Sequence, residues 1–475
     1  MNTGASWPMQ IDAESRVLEI QTKLHQWALS EPNQRFDDLF NLVCDPAFLY
    51  IAWCRVKGNK GGRTAGVDGH TSRSIGKEWL TFLTKLREDL KTRSFNPLPV
   101  RERLIPKPGT TKYRRLGIPT IRDRVVQGAL KLVLEPIFEA DFQPCSYGFR
   151  PNRRAQDAVA EIHFFCSRSY EWVLEGDIKA CFDEINHTAL IGRVRKRVGD
   201  KRVLALIKSF CKAGILTEEG QQQETRAGTP QGGLLSPLLA NIALSILDEH
   251  FAEAWRAMGS SSAARQAHRR KGHATYRLVR YADDFVILVA GTRAHVQALL
   301  EETEAVLLPM GLRLSEEKTT ICHVKEGFDF LGFRIQRRRK RGTQKWYVYT
   351  WPSKKSLASI KAKIRTLTRM GRNLPLQILL YRLNPVLRGW TNYFRYGVSK
   401  ATFGYLRAFM WQRVVCWLRH KHPRMNWKLL RRRYLPGWWP AEGTVTLFNP
   451  GAVVVTRYRY RGLHIATPWE LNSAW

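Results

Sequence analysis

Residues 280–290 read RYADDFVILVA. Two adjacent acids, Asp283 and Asp284, precede an almost unbroken apolar run. Before them, residues 276–281 (YRLVRY) are strand-like; after them, residues 285–290 (FVILVA) form a β-branched, apolar strand pattern. The two predict a β-hairpin with Ala-Asp-Asp between its strands. That turn lacks the Asn-Gly or Asp-Gly pair that short hairpins prefer. A departure from good turn chemistry is expected where function overrides propensity. A carboxylate beside a buried strand is costly unless it is paired or bound to metal. Taken alone, the stretch also fits an ordinary surface turn with solvated acids.

The surrounding sequence weighs against that bland reading. Residues 172–178 (WVLEGDI) form another strand pattern, with Asp177 at its end, and residues 179–198 then turn helical. An acid at the C-terminal end of a strand is well placed for catalysis or metal binding. Hard oxygen ligands in small number suit Mg²⁺, which keeps waters and substrate phosphates in its remaining positions. Between the two acidic segments lies RAGTPQGGLLSPLLANIALSILDEHF, residues 226–251. It opens as a Gly-rich loop and continues as an amphipathic helix, with Ser236 as N-cap and Pro237 at the first helical position. Small residues admit a close-packed substrate backbone, and Gln231 there is a candidate contact to a base or sugar. A tight turn without a ligand is the alternative. Downstream, GLRLSEEKT (311–319) places Lys318 after a strand pattern, where it is either a solvated surface lysine or a partner for pyrophosphate charge.

Composition narrows the class of partner. The 475 residues carry 77 Lys and Arg against 41 Asp and Glu, a formal charge of +36. Such an excess strains a compact fold unless a polyanion neutralises it, and nucleic acid is the obvious polyanion. Apolar content of 44% is enough for a substantial core. None of the eight cysteines forms a CxxC pair, which argues against a zinc ribbon and suits a reducing compartment. The first residues show no basic leader with an apolar run, and no stretch is long enough to cross a membrane, so a soluble intracellular protein is expected.

Along the chain, residues 1–60 read as a helical extension and 61–335 as an α+β core of alternating helical and strand patterns. Residues 257–274 read as a flexible, basic loop. The segment 336–355 reads as a basic boundary with a short hairpin. Three helical patterns follow near 354–371, 376–396 and 399–420, within a helical unit of 336–425. Residues 426–475 form a basic, aromatic tail in which GAVVVTRYRYRGLHI adds strands.

In order, the stretches LIPKPGTTKYRRLGIPTIRDRVVQGAL, YGFRPNRRAQDAV, LEGDIKACFDEINH, GTPQGGLLSPLLANIAL, RYADDF, GLRLSEEKT and DFLGFRI resemble a bacterial group II intron reverse transcriptase/maturase. LRGWTNYFR (387–395) resembles the thumb or maturase domain of that family. The resemblance implies a right-hand polymerase with fingers, an antiparallel palm and a helical thumb. It implies two catalytic Mg²⁺ ions on Asp177 and Asp283, with Asp284 ligating less directly and the carbonyl of Ile178 adding a ligand. It implies Phe182 beneath the incoming sugar, Gln231 and Gly232 lining the nucleotide pocket, Lys318 near it, and Lys107 and Arg114 on the fingers. The family has Pro after that arginine; here Arg115 takes the place, which leaves open which of the two faces the nucleotide. Implied partners are intron RNA, an RNA template with a DNA primer, dNTPs and target DNA, in the bacterial cytoplasm or nucleoid; a homodimer is left open. Arg388, Trp390, Tyr393 and Arg395 combine charge with stacking surfaces for RNA, although core packing explains Trp390 equally well. The tail lacks the paired His and Asn of the family's nuclease domain, so no endonuclease is expected. An RNA-binding maturase with a vestigial polymerase and a defence-associated enzyme are the competing readings.

Overall fold

The computed structural model describes residues 7–106, 111, 113–369, 371 and 373–470. In chain order its main strands are β1 (Val100–Pro106), β2 (Tyr113–Ile118), β3 (Trp172–Asp177), β4 (Ile215–Leu216), β5 (Gln222–Gln223), β6 (Thr275–Tyr281), β7 (Asp284–Ala290), β8 (Thr320–His323), β9 (Phe328–Phe330), β10 (Phe333–Arg339) and β11 (Trp346–Pro352). The predicted hairpin is β6–β7. It belongs to an antiparallel sheet of order β6-β7-β3-β8. This is the palm of the expected right-hand architecture.

The palm sheet is buried on both faces, which explains why β7 is continuously apolar rather than alternating. Leu278, Phe285, Ile287 and Val289 pack into one core with the helices Ile121–Asp141 and Ser236–Ala257. Val279, Val286 and Leu288 pack into a second core with the helix Ala155–Cys166 and strands β9 to β11. A fingers sheet of order β2-β1-β4-β5 joins strands from before and after β3, with β1 and β2 antiparallel and β4 parallel to β1. The helices Gln10–Ser30 and Pro46–Gly58 pack against Ile121–Asp141. The helices Lys354–Arg369, Leu376–Phe394, Lys400–Lys421 and Trp427–Tyr434 surround a third core that includes Ile364, Leu383, Met410 and Leu418. The first three fall where the apolar periodicity predicts them. No helix among the described residues is long and apolar enough to cross a membrane.

Two local expectations need correction. Residues 257–274 are not simply a loop, because Ser262–Arg270 is a helix. Ser261 caps it by accepting from the Ala264 N–H, and its Ala and Arg residues are good helix formers. Strand β10 pairs along its whole length with β11 as the expected hairpin. The stretch 453–465 adds no strand to any sheet. It runs instead as an irregular strap held by side chains. Arg461 donates to both oxygens of Asp157 at 2.7 and 2.8 Å, and the Tyr458 hydroxyl donates to the same carboxylate at 2.8 Å. Farther on, Thr467 Oγ1 lies 3.1 Å from His25 Nε2, and the Trp469 indole donates to Gln21 at 3.3 Å. The strap thus runs from the C-terminal helices across the palm to the first helix.

Candidate active site

Strands β3 and β7 pair in a register that sets Asp177 opposite Asp284. Asp283 occupies the turn one residue before Asp284, so three carboxylates gather at one end of the two central strands. Gly176 makes the close pairing feasible. A Cβ there would stand 2.1 Å from the ring of Phe285, its register partner, so the ring lies directly over the β3 backbone.

The turn itself is strained and clamped. Ala282 has φ of 58°, the left-handed region that costs a non-glycine residue about 1–2 kcal/mol. Arg280 holds it there. This guanidinium is fully buried and donates to Asp248 at 2.7 and 2.5 Å, Asn241 at 3.1 Å, Ser146 at 2.8 Å and the carbonyl of Ala282 at 2.8 Å. All five of its N–H donors are thereby used. From outside, Gly148 presses its backbone against the turn, where a Cβ would meet the Ala282 nitrogen at 2.3 Å. Asn241 also donates to the Gly148 carbonyl at 2.9 Å.

The sequence carried a signal for this clamp that hydrophobic patterning alone passes over. Asn241 and Asp248 are polar residues at i and i+7 on a buried helix face, and Arg280 is an arginine inside a strand. A second buried network repeats the pattern. Arg277 donates to Glu161 at 2.8 Å, and Tyr147 hydrogen-bonds the other oxygen of the same carboxylate.

The acids repel one another. Loss of hydration, then the charge of Asp177, raises the Asp283 carboxyl, while Arg114 and Arg280 pull it down. Asp284 keeps solvent exposure, yet crowding by protein and the charges of Asp283 and Asp177 push it to about 6, against Lys318 and Lys355. Lys318 Nζ lies 2.7 Å from Asp177 Oδ2, and both groups remain accessible. Hard carboxylate oxygens under mutual repulsion are a donor set that a divalent cation relieves. Among the described residues no group of three or more His, Cys, Asp or Glu side chains is by itself arranged to hold a metal ion. The carboxylates would supply part of a shell that water and substrate oxygens complete.

Arg114 and Arg115 are neighbours on β2 with different surroundings. Successive strand residues point to opposite faces. Arg115 donates to Glu102 at 2.5 Å and to Gln223 at 3.3 Å, whereas the charge of Arg114 reaches Asp283. Lys107 lies outside the described residues. Gln231 Nε2 stands 3.4 Å from Asp183, and both line a cavity of about 260 Å³ with Arg115 between fingers and palm. Gly232, with φ of 118°, closes the loop onto the fingers, where a Cβ would meet the Gly117 carbonyl at 2.6 Å. The Phe182 carbonyl accepts from the Thr229 N–H at 2.6 Å, which ties this loop to the segment after β3. Ile178 is buried and bridges to Leu314.

Residues 105–335 match the family model described as reverse transcriptase (RNA-dependent DNA polymerase), and residues 357–435 match the group II intron maturase-specific domain. The chain is 37% identical over 375 residues to Protein YkfC of Escherichia coli, covering 74% of this chain and 97% of that protein. The chain belongs to the group II intron reverse transcriptases. It is 34% identical over 350 residues to the group II intron-encoded protein LtrA of Lactococcus lactis, covering 64% of this chain and 57% of LtrA. It is 29% identical over 355 residues to the putative COX1/OXI3 intron 1 protein of Saccharomyces cerevisiae, covering 68% of this chain and 42% of that one.

In this reverse transcriptase the maturase-region side chains divide by surroundings. The Trp390 ring packs on Phe394 at 4.7 Å and Phe403 at 6.0 Å between centroids. Tyr393 packs on Phe333 and donates its hydroxyl to the Leu331 carbonyl at 2.9 Å. Both rings are engaged inside the protein, as helical spacing allows. Arg388 is exposed over the Phe448 ring, and Arg395 is half-buried beside Tyr396.

Proposed function

We propose that this reverse transcriptase extends a DNA primer along an RNA template and also holds its intron RNA during splicing, so that the same protein serves intron mobility by target-primed synthesis. The observation that carries the polymerase half is the Asp177–Asp284 register with Asp283 in the turn between β6 and β7. In this reading Asp177, Asp283, Asp284 and the Ile178 carbonyl hold two Mg²⁺ ions, which when bound would neutralise charge on the attacking and leaving oxygens. The primer 3′-oxygen attacks the α-phosphorus of a dNTP, the bond to the β-phosphate oxygen breaks, and pyrophosphate leaves.

The remaining steps fall to the chain's own groups. Arg114 approaches from the fingers to meet the triphosphate. Gln231 borders the sugar and base, with Gly232 setting its loop, and Arg115 lines the same cavity. Phe182 lies under the sugar and disfavours a 2′-hydroxyl. Lys318, beside Asp177 and exposed, is the cation placed to meet the departing pyrophosphate. Positioning and charge neutralisation supply most of the rate. The net charge of +36 and the maturase domain support intron RNA as the second ligand, with Arg388 and Arg395 among its contacts. Target DNA follows as the source of the primer.

Primer extension on an RNA template with Mg²⁺, run for wild type and Asp283→Ala beside a splicing assay at reduced Mg²⁺, tests this reading. Extension lost with splicing kept supports two separable functions. A wild type that binds intron RNA but does not extend overturns the polymerase half and favours a maturase alone.

A further inference from the structure

Away from the acids lies a larger hollow of about 910 Å³. Its walls come from four places: the palm helix Ala155–Cys166, the β10–β11 hairpin, the turn before the helix Lys400–Lys421, and residues 455–458 of the strap. None of the residues assigned to the polymerase site lines it.

Two properties define its chemistry. Trp346 and Tyr347 stand at its rim 50% and 45% exposed, large rings that the fold leaves uncovered. Its cations outnumber its acids, for the one carboxylate in the lining, Glu171, is already paired with Arg337. Lys340 and Arg457 are exposed and have no carboxylate within ion-pair distance among the described residues. Lys400 donates only to the carbonyls of Gly451 and Val453. Burial, then the charge of Arg457, lowers the pKa of His163, which lines the same hollow.

We propose that this cleft is a binding site for unpaired RNA, with bases stacked on Trp346 and Tyr347 and phosphates met by Lys340 and Arg457. The proposal rests on the RNA-binding half of the function above and adds a site to it. Exposed rings interleaved with cations suit single strands, whose bases are free to stack and whose backbone carries the charge. A hollow of this size is in the range of ligand sites and too small for a duplex. The cations come from separate segments, the hairpin and the strap, which fits a run of backbone rather than a single triphosphate.

The test uses the full chain already loaded with a hairpin primer–template, so that the polymerase channel is filled. Binding of fluorescein-labelled octauridylate is then followed by anisotropy across a salt series. Tyr347→Ala weakens binding at least about fivefold. Lys340→Ser with Arg457→Ser weakens it further and lowers the log–log salt slope by about 0.7 for each cation removed. Primer extension by both variants matches wild type, which shows that they fold. Variants that bind octauridylate like wild type, or a loaded wild type that does not bind it, overturn the cleft while intron RNA binding stands. Displacement by dNTP at concentrations that saturate primer extension, lost in the same variants, makes it a mononucleotide site and also overturns the proposal. Failure of the unloaded wild type to bind intron RNA is a separate result, and it removes the function on which the cleft rests.

Discussion

The guanidinium of Arg280 donates to the carbonyl of Ala282, two residues farther along its own chain, at 2.8 Å. The same group is paired with the fully buried Asp248 on the helix Ser236–Ala257. The conformation of the acidic turn is therefore set from beneath, by an ion pair that touches no substrate.

That arrangement separates stability from turn geometry. Asp248→Ala strands a buried cation and costs about 3–5 kcal/mol. Arg280→Met combined with Asp248→Leu removes both charges and recovers most of the loss. The Ala282 carbonyl still lacks its donor, so primer extension stays at least about tenfold below wild type. Denaturant midpoints and extension rates on the same proteins check this. Extension that recovers together with stability would reduce the pair to a structural filler.

Gly148→Ala probes the turn from the other side. The added methyl would sit 2.3 Å from the Ala282 nitrogen, so the turn or the 147–149 loop must shift. Overpacking of this kind costs about 1–3 kcal/mol. Extension falls through kcat with the affinity for intron RNA unchanged, as steady-state kinetics and a filter-binding assay would show.

Asp123 gives a pH signature. It is 1% exposed, one of its oxygens has no partner among the described residues, and burial pushes its carboxyl to about 6, opposed by the Thr120 and Leu98 hydrogen bonds. Its ordinary value is 3.8, so the folded state holds the proton more tightly than the unfolded chain does. Stability from this group is present below about pH 4 and is lost as the pH rises through about 6. Asp123→Asn removes that loss. Its stability advantage over wild type, read from denaturant unfolding, grows from pH 4.5 to pH 7.5 and reaches at most about 3 kcal/mol. An advantage independent of pH would mean that Asp123 stays ionised in the fold.

Arg461→Ala tests the strap. It removes two charge-assisted bonds to Asp157, a carboxylate only 2% exposed. The loss is about 1–3 kcal/mol, read from urea denaturation. The folded fraction extends primers at the wild-type rate, because no contact of the strap reaches the acids.

The parts legible in the sequence were those written in periodicity and motif order. The apolar run after Asp284 gave β7, the 3.6-residue pattern gave the helices Leu376–Phe394 and Lys400–Lys421, and local patterning put Asp177 at a strand end and Asp283 in a hairpin turn. The illegible parts depended on long-range complementarity. Nothing local marks Asp248 as the partner of Arg280, 32 residues away, or Asp157 as the anchor of Arg461, 304 residues away. The helix Ser262–Arg270 was missed because its small and basic residues bury nothing, so it lacks an apolar stripe.

The strap also sets a timetable for synthesis. His25 and Gln21 lie in the first helix, and the groups that complete their hydrogen bonding, Thr467 and Trp469, follow 442 and 448 residues later. At ordinary translation speeds that is a wait of roughly 20–90 s. The first helix can dock on Ile121–Asp141 early, but Gln21 and His25 wait for their last partners until residues 467–469 have been made. A nascent chain therefore carries an open seam along its first helix, and the seam closes only after the palm and the maturase helices have left the ribosome.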